Sequence, residues 1–101
     1  MEKDFRYVEL FELYKDLLTE KQRETFLSHY CYDLSLAEIA EPEGSTRQSV
    51  YAVIKTVKDK LDEYEEKLNI YAKNQKLIEV AKEIEVANSD VANKILDIVG
   101  R

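Results

Sequence analysis

Apolar residues recur along this chain at steps of three and four, the period of a helix that buries one face. Tyr7, Leu10, Phe11, Tyr14, Leu17 and Leu18 line one side of a first segment, with Glu9, Glu12, Lys15 and Asp16 between them. Thr19 followed by Gln22 is a capping box opening a second helix, whose inward face would be Phe26, Leu27, Tyr30 and Cys31. Ser35 with Glu38 is another such box, and Leu34 and Ile39 staple across it. Pro42 lacks an amide proton and disfavours helix at Glu41, so this third helix is expected to be short; Gly44 offers the positive φ of a tight corner. Thr46 caps a fourth helix on which Val50, Ile54, Val57, Leu61, Tyr64, Leu68 and Tyr71 alternate steps of four and three. Leu77, Ile78, Val80, Ala81, Ile84 and Val86 mark a fifth, and Asn88 or Ser89 caps a last one carrying Val91, Ala92, Ile95, Leu96, Ile98 and Val99, with Gly100 as its stop. The spacing predicts helices near 4–17, 19–32, 35–41, 46–71, 75–87 and 89–99, no strand, and therefore an all-α fold.

The third and fourth helices meet at a corner of the helix-turn-helix kind, in which a small residue, Ala40, permits a close crossing four positions before Gly44. A corner between two bundle helices uses the same caps, so the pattern alone leaves both uses open. Leu10, Phe11, Tyr14, Phe26, Tyr30, Ile39, Val50 and Ile54 are expected to pack together. The organisation is a helix-turn-helix head over 1–60, continued within one domain by a region over 46–101 that holds the long helix and the carboxy-terminal helices. Three heptads of seam exceed what such a head can cover, which predicts a homodimer paired through Val57, Leu61, Tyr64, Leu68 and Tyr71; the apolar tail folding back over the seam is the competing outcome.

Composition narrows the function more than the fold. A chain of 101 residues with 36% charged side chains makes one modest core with charged outer faces. Its longest apolar runs are two or three residues and its first residues lack the apolar core of a secretory signal, so a cytoplasmic protein with no membrane insertion is expected. Cys31 is the only cysteine and His29 the only histidine, which excludes an internal disulfide and argues against a metal site; Cys31 reads as a small buried side chain and His29 as structural. Paired carboxylates, phosphate-binding glycines and a nucleophile beside a base are all lacking, so neither catalytic residues nor a cofactor are expected.

The net charge of −6 argues against coating nucleic acid by bulk electrostatics, but the charge is uneven. Residues 1–46 carry five basic and eleven acidic side chains, whereas 47–60 carry Arg47, Lys55, Lys58 and Lys60 against Asp59 alone. One reading is a nucleic-acid interface: Arg47, Gln48, Tyr51, Ala52 and Lys55 would face a groove, Arg47 and Gln48 reading base edges and Lys55 and Lys58 contacting phosphates, with Asp59 opposing. The bland alternative is a solvated helix face. A third is a protein-interaction module whose acidic helices hold a basic partner.

The order of these pieces resembles the YlxM family, small bacterial proteins that share the helix-turn-helix of sigma-factor region 4. The matching text is LTEKQRETF at 18–26, DLSLAEIA at 33–40, TRQSVY at 46–51 and LDEYEEKL at 61–68. The resemblance implies a DNA-binding regulatory protein of the signal recognition particle pathway, with duplex DNA, the particle's RNA or its protein as partner. It departs from the family in the turn, where Glu43 and Ser45 replace an apolar residue and a valine, so this corner is more polar than the family's.

Overall fold

A computed structural model describes residues 4–100, and these form six α-helices and one 3-10 turn with no strand among them. The chain divides into two compact units, Met1–Lys67 and Leu68–Arg101.

In the first unit, the Asp4 side chain accepts the Arg6 amide at 2.9 Å and starts α1, Phe5–Tyr14. The helix was expected to run to 17. Instead it tightens after Tyr14 into a 3-10 turn, Lys15–Leu17, a common ending where the last carbonyls lack helical partners. Arg23 supplies some of those partners, donating to the carbonyls of Lys15 at 3.3 Å and Leu18 at 2.8 Å. Helix α2, Glu20–Tyr30, opens on the expected box: Gln22 N donates to Thr19 Oγ1, and Thr19 N donates to the Gln22 side chain. It ends before Cys31. Cys31 is exposed, contrary to the sequence expectation, because the chain leaves helical geometry and passes through a left-handed Asp33 (φ 58°). His29 is structural: its Nδ1 lies 2.8 Å from the Leu34 carbonyl, which it serves as donor.

Helix α3, Leu36–Glu43, carries the second complete box, between Ser35 and Glu38. Pro42 does not end it. The proline occupies the last turn, where the bond it withholds is one of few remaining, and the helix closes instead on left-handed Gly44 (φ 66°). Gly44 N donates to the carbonyls of Ala40 and Glu41, and Ser45 N donates to Ala40 O at 3.0 Å. Thr46 then caps α4, Arg47–Leu68, by accepting the Ser49 amide at 3.1 Å.

Two packed clusters hold this unit. Phe26 stacks between Phe11 and Tyr30, with ring centroids 4.7 and 4.3 Å apart. Ile39, Ala40, Val50 and Ile54 form the inside of the α3–α4 corner, with Tyr30, Leu34 and Leu36 against them. Of the eight residues expected to form the core, all are buried except Tyr30, which is half-buried. Polar contacts then strap α1 to the far half of α4. Arg6 and Tyr7 donate to Asp62 at 3.0 and 2.7 Å, Tyr14 donates to Glu65 at 2.6 Å, and Tyr64 donates to the Leu17 carbonyl at 3.3 Å.

The long fourth helix stops three residues short of the expected Tyr71. Asn69 adopts the left-handed conformation (φ 56°), which asparagine tolerates better than other branched or bulky residues, and the chain restarts as α5, Ile70–Glu85. Helix α6, Ser89–Val99, is capped by Asn88, whose side chain accepts the Val91 amide at 3.1 Å; Ser89 is already helical. The two form a helical hairpin through a short turn, with Ile78, Ala81 and Ala92 buried.

Candidate nucleic-acid interface

The α3–α4 corner fixes which side of α4 looks outward. Val50, Ile54, Val57 and Leu61 are held inside, so Gln48, Ala52, Lys55 and Asp59, at steps of four, three and four, line the opposite face. Arg47 and Tyr51 flank it at the amino-terminal turns. Arg47, Gln48, Tyr51, Ala52 and Lys55 are all exposed, and the structure brings these five expected residues onto one continuous surface. Thr46 closes that end of the helix, its hydroxyl accepting the Ser49 amide.

The electrostatics of this face are less favourable than the residue types alone suggest. Lys55 Nζ lies 3.0 Å from Asp59, so Asp59 neutralises the nearest cation as well as opposing a phosphate directly. The Asp59 carboxylate, as hydrogen-bond acceptor and then by its charge, holds the Lys55 ammonium above the ordinary lysine range. Lys58 is half-buried at the edge of the face, its ammonium 5.0 Å from the centroid of the Tyr7 ring. It shares the helix side of Arg47 and Tyr51, but the Tyr7 ring engages its ammonium. Arg47, by contrast, makes no ion pair among the described residues.

Beside this face, between α2 and α4, lies a cleft of about 280 Å³ lined by Lys21, Thr25, Glu43, Ser45, Ser49, Val50 and Val53. Lys21 and Glu43 form an ion pair across it. The polar turn thus ties the corner to α2 by charge, at the position where an apolar residue was the expectation of the resemblance.

The residues proposed for pairing two chains are placed differently from one another. Val57 and Leu61 have no exposed surface, so they hold nothing for a second chain. Tyr64 is half-buried, its ring 5.9 Å from that of Tyr14; Tyr71 is half-buried and Leu68 exposed. A step of four and three does not say whose side chains fill the seam. The segment LDEYEEKL proves to be structural: Leu61, Asp62, Tyr64 and Glu65 all face the chain's own core or α1.

A short helix, a left-handed glycine corner and a longer second helix with an exposed amino-terminal face define a helix-turn-helix protein. Residues 1–99 match UPF0122, described as "Putative helix-turn-helix protein, YlxM / p13 like", and the chain belongs to that family. A UPF0122 protein of Halalkalibacterium halodurans is 44% identical over 87 residues, covering 86% of this chain and 80% of the relative. One from Caldanaerobacter subterraneus subsp. tengcongensis is 42% identical over 85 residues, covering 83% and 73%. One from Bacillus cereus is 39% identical over 102 residues, covering 98% and 93%. The family is one of helix-turn-helix proteins. Among the described residues no helix is long and apolar enough to cross a membrane.

Proposed function

We propose that this protein is a cytoplasmic DNA-binding regulator that docks the amino-terminal turns of α4 against duplex DNA, and that it acts in the signal recognition particle pathway. The observation that carries the DNA reading is the exposed face of Arg47, Gln48, Tyr51 and Ala52 directly after the Gly44 corner. Its side chains match the chemistry of base-edge reading, Arg for guanine and Gln for adenine. Lys55 contributes less than Arg47, because binding a phosphate competes with its bond to Asp59. The pathway rests on the resemblance to the YlxM proteins. Sigma-factor region 4 likeness and a homodimer belong to the same reading, since two copies would hold two α4 helices at a fixed separation for paired half-sites.

A second reading is favoured by charge. Residues 1–67 carry ten basic and sixteen acidic side chains, a surface suited to a basic protein partner. The two are separated by titrating the purified protein into labelled duplex DNA, signal-recognition-particle RNA and the particle's protein at two salt concentrations. On the DNA reading, duplex binding weakens steeply with salt; Arg47→Ala weakens it further and lowers the salt slope by roughly one. Asp59→Asn, which frees Lys55, strengthens it. Binding to neither nucleic acid, with salt-dependent binding to the protein, would favour the second reading.

A further inference from the structure

The second unit has a helical hairpin whose apolar surface is only half used. On α5 the buried positions are Ile78 and Ala81, and on α6 Ala92. Beside them runs a second stripe, Leu77, Val80 and Ile84 on one helix and Val91, Ile95 and Ile98 on the other. Leu77, Val80, Val91 and Ile98 are exposed, Ile98 at 81%, and Ile84 and Ile95 are partly so. The steps along it, three then four on α5 and four then three on α6, are those of helices that pack side by side over more than one turn.

A unit of this size lacks the means to hold such a surface alone. Units below roughly 40 residues usually depend on a disulfide, a metal or association. Leu68–Arg101 contains no cysteine, since the only one is Cys31. Among the described residues no group of three or more His, Cys, Asp or Glu side chains is placed to hold a metal ion. Association is what remains, with the charged rest of the chain or with a second molecule, and charge bears on which. Residues 68–101 carry five basic and five acidic side chains, so this unit is neutral while all of the net charge of −6 belongs to residues 1–67. A nucleic acid or a strongly charged protein gains nothing from a neutral apolar stripe. A second copy of the same hairpin meets it without repulsion and offers an identical stripe, which is what a two-fold interface needs.

We infer that the Leu77, Val80, Ile84, Val91, Ile95, Ile98 stripe is a homodimerisation surface, two hairpins joining as a four-helix bundle. It gives the proposed dimer an interface other than the enclosed Val57 and Leu61, and it stands whether or not the protein binds DNA. Sedimentation equilibrium of the full chain at micromolar concentration tests it. The parent is expected at twice 11.8 kDa. Val80→Glu with Ile98→Glu should weaken pairing by about 100-fold or more, since each change removes apolar area twice over by symmetry. Leu68→Glu should leave pairing intact. If the Glu pair loses helical circular dichroism, Val80→Gln with Ile98→Gln is read in its place. A monomeric parent, a dimer that survives the helical double variant, or a dimer lost only on Leu68→Glu overturns the assignment. Because no step uses nucleic acid, a failed dimer and failed DNA binding are told apart.

Discussion

The head and the hairpin are built from the same helical periodicity and reach different ends. Nine of the ten aromatic side chains lie in residues 1–67, leaving only Tyr71 to the second unit. Rings at Phe11, Phe26 and Tyr14 fill space that three helices alone leave open, and the Tyr14 hydroxyl reaches the Glu65 carboxylate of α4. The hairpin buries one isoleucine and two alanines. Alanine lets helix axes approach closely but removes little apolar area from water, so close approach there brings little stability. An amphipathic pattern therefore states how much apolar surface a helix has. It does not state whether the same chain can cover it.

The largest expected effect breaks this contrast at its centre. Phe26 is fully buried and stacked on both sides, and Phe26→Ala should cost about 3–5 kcal/mol. Ile39→Ala, in the second cluster, should cost about 2–5 kcal/mol. Near-ultraviolet circular dichroism reports almost solely on the head, because the rings are there. Either variant melting with the parental ring signal would mean that the head does not depend on these clusters.

Next in size is the strap. Tyr14→Phe removes the 2.6 Å bond to the buried Glu65 carboxylate and should cost about 1–3 kcal/mol, read as a lowered urea midpoint. No cost would show that the strap is ornamental and that α1 is held by apolar packing alone. Gly44→Ala should follow at about 1 kcal/mol. An added Cβ meets no atom within 4 Å, so the cost is that of the left-handed backbone by itself. Gly44→Asn should recover part of it, and an Ala variant as stable as the parent would mean that the corner relaxes to another geometry.

What was legible in the sequence follows the range of each interaction. The boxes at Thr19 and Ser35, the Thr46 cap and the Gly44 corner are decided within four residues, and all are found. The outward set of Arg47, Gln48, Tyr51, Ala52 and Lys55 was legible for the same reason, since one helix's inward positions fix its outward ones. The 3-10 turn after Tyr14 and the position of Pro42 were not, because a helix's last turn is decided by small differences among competing carbonyl partners. Asn69 was recognisable as a poor interior residue, yet nothing local says that it turns left-handed. Least legible were contacts across the unit. Lys58 reads as an unengaged cation until Tyr7, 51 residues away, is placed beside it. Likewise, the roles of Asp62 and Glu65 within LDEYEEKL show only once Arg6, Tyr7 and Tyr14 meet them.

The smallest effect concerns the same strap at high pH, where its sign can be worked out. Burial first, and then the hydrogen bond to Asp62, push the Tyr7 hydroxyl up from an ordinary 10.0 to about 12. Between these values the unfolded chain has lost the Tyr7 proton while the folded chain keeps it. The folded state then binds more protons, so stability falls as pH rises. Tyr7's contribution is fully present below pH 10.0 and is lost towards about 12. The loss should appear in the ring signal of the head, where Tyr7 stands. Urea midpoints of the parent and of Tyr7→Phe, taken on either side of pH 10.0, isolate the effect because the other tyrosines are common to both. The parent should lose more stability across that interval than the variant. Equal losses would mean that Tyr7 gives up its proton as readily folded as unfolded, and that the Asp62 bond does not hold it.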